Sequence, residues 1–107
     1  MQEGILVLLS SYNGEKYIEN TLESMVTQTV ENFEVIIVDD GSTDGTAEIC
    51  KKYCDEYNDF FYIYQEHKGV YAARNAGIER AKCEYLLFLD CGDLLTDGTI
   101  EAIRTEQ

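Results

Sequence analysis

Between Ile36 and Thr46 the chain passes from Ile36-Ile37-Val38 into Asp39-Asp40 and then into Gly41-Ser42-Thr43-Asp44-Gly45-Thr46. An uninterrupted apolar run is what a strand of a parallel sheet needs, because helices cover both of its faces. The glycine and hydroxyl residues that follow mark a turn into a helix. Ligands of open α/β sheets bind outside the carboxyl ends of the strands. Two carboxylates at that place can accept hydrogen bonds from a base or a sugar, or hold a cation. This stretch restricts the chain to an α/β fold and directs its chemistry toward a nucleotide.

The remaining elements agree with that restriction. Ile5 to Leu9 reads as a buried first strand that breaks at Ser10-Ser11-Tyr12-Asn13-Gly14. Tyr17, Ile18, Thr21, Leu22, Met25 and Val26 recur at helical spacing, and Phe33 to Val38 forms the second strand. Ser42 or Thr43 is positioned to cap a helix carrying Ile49, Cys50, Tyr53, Cys54 and Tyr57 on one side. Phe60 to Gln65 is a third strand, Val70 to Ala81 a small-residue helix, and Tyr85 to Leu89 a fourth strand. Asp90-Cys91-Gly92-Asp93 ends that strand, and a short helix from Thr99 to about Thr105 follows. Strands alternating with helices at this spacing predict right-handed βαβ units and a mostly parallel sheet of about four strands.

With 107 residues there is room for one domain, 1–107, and one modest core. The net charge of −13 excludes general nucleic-acid binding, which needs a basic surface to displace counterions. It does not exclude a phosphorylated ligand, since a divalent cation can bridge acidic protein and phosphate. Cys50, Cys54, Cys83 and Cys91 contain no C-x-x-C, and His67 is the sole histidine. Zinc ligation is therefore disfavoured, and reduced thiols in a cytosolic protein are expected. Ile5 to Leu9 is too short, and lacks the basic flank, for a signal peptide.

In a parallel sheet Ser10 to Asn13, Asp39-Asp40 and Asp90 to Asp93 emerge at one edge. Tyr12 can stack on a base there, and Asp40 can accept from a base N–H or a ribose hydroxyl. Asp90 and Asp93 offer hard oxygen ligands for Mg²⁺ or Mn²⁺, which would neutralise a diphosphate. Lys68 and Arg74 could reach phosphate oxygens. No G-x-G-x-x-G follows the first strand and no G-x-x-x-x-G-K-[ST] occurs, which excludes the familiar dinucleotide and P-loop sites. Covalent serine hydrolysis would have to rely on His67 alone. A phospho-acceptor receiver domain would need its acidic pair after the first strand, where this chain has Ser10-Ser11.

Several motifs stand in the order and spacing of one known family. They are Ser11-Tyr12-Asn13-Gly14-Glu15-Lys16-Tyr17, Gln28-Thr29, Asn32-Phe33-Glu34, Val38 to Thr46, Gly69 to Gly77, and Phe88-Leu89-Asp90 with Gly92-Asp93. The whole chain resembles the family 2 glycosyltransferases. That resemblance implies a GT-A fold whose amino-terminal, Rossmann-like half binds a nucleotide-diphosphate sugar, with a UDP-sugar favoured. By position it implies that Ser10, Tyr12 and Asp40 contact base and ribose, that Arg74 belongs to the donor site, and that Asp90 is the first acid of a D-x-D signature. The activity implied is inverting transfer of a sugar to an acceptor hydroxyl, on a glycan or lipid-linked acceptor, with Mg²⁺ or Mn²⁺ as cofactor.

Two departures qualify that resemblance. The D-x-D position reads Asp90-Cys91-Gly92, so a glycine replaces the usual acidic metal ligand, and Asp93 is the nearest substitute. The family's acceptor-binding half and catalytic base should follow the last residue, so the chain is expected to be the amino-terminal, donor-binding portion of a longer enzyme and inactive alone. Such an enzyme is expected to be cytoplasmic, with a peripheral place at the inner membrane face and membrane segments elsewhere in the full product both left open. The alternative is a non-catalytic nucleotide-sugar-binding relative with a degenerate D-x-D.

Overall fold

The computed structural model describes residues 2–28, 33–66, 69, 75 and 83–92. Its elements are β1 (Gln2–Ser11), α1 (Ile18–Val26), β2 (Phe33–Asp40), α2 (Thr46–Glu56), β3 (Phe60–Gln65) and β4 (Cys83–Asp90). The strands form one sheet in the order β3-β2-β1-β4, and every pairing is parallel. The α/β architecture expected from the sequence is present. Of Val70 to Ala81 only Asn75 is described, and it is helical. The expected helix from Thr99 to Thr105 lies outside the described residues, as do His67, Lys68, Arg74 and Asp93.

Side chains alternate across a strand, so β1 serves two cores. Ile5, Val7 and Leu9 join Val35, Ile37 and Phe60 of the neighbouring strands in a cluster with Ile18, Leu22 and Met25 of α1 and Cys50 and Tyr53 of α2. Leu6 and Leu8 face the other way, with Ile36, Val38 and the flanking Ile63. Helix α1 forms because Ile18, Leu22 and Met25 recur at i, i+4 and i+7 and give it one apolar stripe to bury. Its first turn begins where the Gly14 carbonyl accepts from the N–H groups of Tyr17 and Ile18, both at 2.8 Å. Helix α2 ends as Tyr57 turns extended, and the rings of Tyr53, Tyr57 and Phe60 pack at centroid distances of 5.5–6.3 Å. That cluster ties the helix end to the start of β3.

Cys50 and Cys54 stand on the core side of α2, and Cys50, Cys54 and Cys91 are all free thiols. Among the described residues no three of His, Cys, Asp and Glu group as a metal site. Among the same residues no helix is long and apolar enough to cross a membrane.

Burial first, and then the nearby charge of Asp39, pushes the Cys50 thiol up to about 12. Burial leads the upward shifts of the Tyr53 and Tyr62 phenols as well. Each group holds its proton more tightly folded than unfolded. The stability so gained is complete below an unfolded thiol value of about 8.5 and is lost as pH rises through the folded values. The urea midpoint is therefore expected to fall as pH rises from about 8 to about 11. Native Cys50 should resist a thiol-specific disulfide reagent at about pH 8 that labels the unfolded chain at once; rapid native labelling would contradict its burial.

Candidate functional site

Strand order reverses next to β1: the chain passes outward from β1 to β2 and β3, then returns to pair β4 on the other side. Open α/β sheets bind ligands at the carboxyl edge beside such a reversal of strand order. Residues from all four strand ends line that edge. In register, Asp90 pairs with Ser10, Ser10 with Val38, and Asp40 with Gln65.

At the junction of β1 and β4 the Ser10 hydroxyl donates to Asp90 Oδ1 at 2.8 Å. The Cys91 N–H donates to the Ser10 carbonyl at 3.0 Å, which carries the strand pairing one step into the turn. Gly92 follows with φ +105°, a backbone region that side chains disfavour, and its N–H donates to the buried Thr21 Oγ1 of α1 at 3.0 Å. The Cys91 thiol donates to the Gly14 carbonyl at 3.6 Å, so the sulfur turns toward the helices. The acidic turn is thus fastened to both β1 and α1.

The two aspartates at the end of β2 have different tasks because adjacent residues point to opposite faces. Asp39 is fully buried, accepting from the Ser42 N–H at 2.9 Å and from the Tyr62 hydroxyl at 2.6 Å. It organises the turn and the underside of β3. Asp40 points to the other face, where its carboxylate accepts from Gln65 Nε2 at 2.8 Å and from the Gly69 N–H at 2.9 Å. Asp40 is thereby held in one orientation at the edge.

The loops after β1 and β2 are zipped together. Asn13 donates its N–H to Ser42 Oγ at 2.8 Å and accepts from the Thr43 N–H through Oδ1, also at 2.8 Å. The Gly14 N–H reaches Thr46 Oγ1 at 3.0 Å, and the Glu15 N–H reaches Asp44 Oδ2 at 3.2 Å. Glu15 Oε1 accepts in turn from the Gly45 N–H. Neither Ser42 nor Thr43 caps α2; Gly45 occupies the cap position without a side-chain bond. Asp44 does the work, accepting from the Thr46 N–H at 3.0 Å and the Thr46 hydroxyl at 2.5 Å. Desolvation raises the Asp44 carboxyl, but its hydrogen bonds from Thr46 and Glu15 outweigh that and leave it below the usual range.

Of the residues named from the sequence, Ser10, Tyr12, Asp40 and Asp90 come to this edge, and Tyr12 is half exposed at 50 %. Arg74 and Asp93 lie outside the described residues. Thr21, Gln65, Gly69 and Asn13 were missed by sequence reasoning. Asn13-Gly14 did carry a turn signal, whereas nothing local connects Thr21 with Gly92. The buried Ser11 hydroxyl has no hydrogen-bond partner among the described residues.

The family model for glycosyl transferase family 2 matches residues 6–105. The chain is 44% identical over 102 residues to the putative glycosyltransferase EpsH of Bacillus subtilis, covering 94% of this chain and 30% of that protein. The first curated relatives it matches are much longer, and it spans 15% to 35% of their lengths. Its fold is similar to S. aureus TarS 1–349 in complex with UDP-GlcNAc, with TM-score 0.88 and 33% identity over 95% of this chain and 30% of that one. The fold is also that of the mannosyltransferase PcManGT from Pyrobaculum calidifontis in complex with GDP-Man and Mn²⁺, at TM-score 0.84 and 23% identity over 97% of this chain and 31% of that one.

A Cβ on Gly14 would lie 2.3 Å from Cys91 Sγ and 3.0 Å from Ser11 Oγ, whereas one on Gly45 would meet only the mobile end of Glu15. Gly14→Ala should therefore cost about 1–3 kcal/mol, and Gly45→Ala less than about 1 kcal/mol. Adding Cys91→Ala should restore much of the loss at Gly14. Chemical denaturation measures all three; equal effects at the two glycines would show that the close approach of the loops is unimportant.

Proposed function

The chain belongs to glycosyl transferase family 2 and has its GT-A fold, and from that premise we propose that the edge described above binds the nucleotide of a nucleotide-diphosphate sugar, a UDP-sugar by preference. The observation that carries the reading is the meeting of Tyr12, Asp40 and the Ser10–Asp90 pair at the carboxyl edge, beside the reversal of strand order. Tyr12 presents a half-exposed ring for stacking on the base. The Asp40 carboxylate, oriented by Gln65 and Gly69, accepts from a base N–H or a ribose hydroxyl. Ser10 lies one strand over from Asp40 and Asp90 two, toward the diphosphate in this reading, with Arg74 supplying positive charge to the phosphates.

The activity that follows is inverting glycosyl transfer. The acceptor oxygen forms a bond to the sugar's anomeric carbon while the bond from that carbon to the diphosphate oxygen breaks. The acceptor proton passes to a carboxylate base, a role assigned to none of the described residues. The acceptor is a glycan or lipid-linked hydroxyl, and the free thiols of Cys50, Cys54 and Cys91 support a cytoplasmic setting.

In this reading Asp90 is the one carboxylate among the described residues offered to a cation, and Gly92 has no side chain to add. That donor set fits a Mg²⁺ or Mn²⁺ held by one or two carboxylates, its own waters and the ligand's phosphates, and does not fit a protein cage. Asp93 is the second carboxylate in this reading. When bound, the cation would offset negative charge on the departing diphosphate. The glycine at position 92 also favours a second reading, a relative that binds nucleotide sugars without transferring them.

Titration calorimetry with UDP, GDP and ADP, in Mn²⁺ and in EDTA, tests this reading. UDP should bind best, and Asp40→Asn should weaken it about tenfold, the worth of one charge-assisted hydrogen bond. Gly92→Asp should cost about 1 kcal/mol of stability because of its positive φ, yet make UDP binding more dependent on Mn²⁺. Equal UDP affinity in Asp40→Asn would remove that residue from the site, and equal Mn²⁺ dependence in Gly92→Asp would remove position 92 from the cation site.

A further inference from the structure

Tyr12 has no rigid element of its own: it follows the last residue of β1 and precedes the loop that leads to α1. The path of its backbone is set by its neighbours. On one side Ser11 is still in the ladder, paired with Asp39. On the other side Asn13 is held at φ +48°, a left-handed conformation that asparagine tolerates better than most residues. Its backbone N–H and its side-chain oxygen engage Ser42 and Thr43 in opposite directions, each at 2.8 Å. Ser42 in turn donates its N–H to Asp39, the residue beside Asp40. A short chain of bonds therefore runs from the residue after Tyr12 to the residue before Asp40.

The other links between the two loops lie further along and attach Gly14 and Glu15 to residues 44–46. They secure the start of α2. The bond accepted by Asn13 Oδ1 is the side-chain bond of this zipper placed next to Tyr12, and Asn13 is itself exposed, so its role is separable from core stability.

We infer that Asn13 is a positioning residue, which by bridging to Ser42 and Thr43 sets the separation of the Tyr12 ring from Asp40 and so tunes affinity for the base of a nucleoside diphosphate. The inference rests on the reading that Tyr12 and Asp40 flank the base. It makes Asn13 act only through Tyr12, and it assigns the effect to the side-chain oxygen.

The test uses UDP titration of the chain with Asn13→Gly, Asn13→Asp, Tyr12→Ala and the pair Asn13→Gly/Tyr12→Ala, with thermal midpoints measured alongside. Asn13→Gly keeps access to positive φ but loses the acceptor, and should weaken UDP about three- to tenfold, the range for one hydrogen bond. Asn13→Asp keeps the acceptor and should stay within about twofold of the parent. In the Tyr12→Ala background Asn13→Gly should have no further effect, because residues acting as one unit are not additive. Full additivity of the two changes, or loss of affinity in Asn13→Asp matching that in Asn13→Gly, would overturn the inference and leave the nucleotide site standing. Unchanged UDP affinity in Tyr12→Ala would overturn both the site and the inference.

Discussion

The structure depends on β1 being paired in parallel on both sides. A strand with neighbours on either flank must bury both rows of its side chains, and Ile5 to Leu9 does so with an unbroken apolar run. Parallel pairing brings the carboxyl ends of all four strands to the same edge. The return of the chain to β4 on the far side of β1 then places the reversal of strand order beside β1. The meeting of Ser10 with Asp90, and the place of Asp40 at the same edge, follow from that one arrangement.

Around this frame, polar groups are assigned by the two-residue period of the strands. Asp39 and Asp40 are chemically identical, adjacent and both buried, yet one is spent on the turn and Tyr62 while the other is held on the opposite face by Gln65 and Gly69. The same alternation turns the Cys91 sulfur toward Gly14 and α1. It leaves Asp90 beside Ser10 at the carboxyl edge. The glycine at 92 belongs to this geometry, since its positive φ lets the turn offer an N–H to Thr21.

Much of this was legible in the chain. The apolar runs of the strands, the helical stripes of α1 and α2 and the punctuation by glycine are local signals, and they located the described elements to within a few residues. The carboxyl-edge position of Ser10, Tyr12, Asp40 and Asp90 followed once the strands were taken as parallel. The cap of α2 was misjudged because Ser42 and Thr43 look like capping residues in isolation, whereas in the fold their backbone and side-chain groups are taken by Asp39 and Asn13. A cap is chosen by competition among nearby donors and acceptors, and half of these competitors come from another loop.

From the sequence alone came the alternation of strands with helices, the family, and the set of polar residues at strand ends, because periodicity and motif spacing are properties of neighbouring residues. The tertiary structure alone decided which partners hold each of the two buried aspartates. It also decided that Gly14 must be small to clear Cys91, and that Asn13, Thr21 and Gln65 support the site. Those outcomes depend on long-range contacts between residues from 23 to 77 positions apart, and no local pattern encodes which distant atom will arrive within hydrogen-bonding distance.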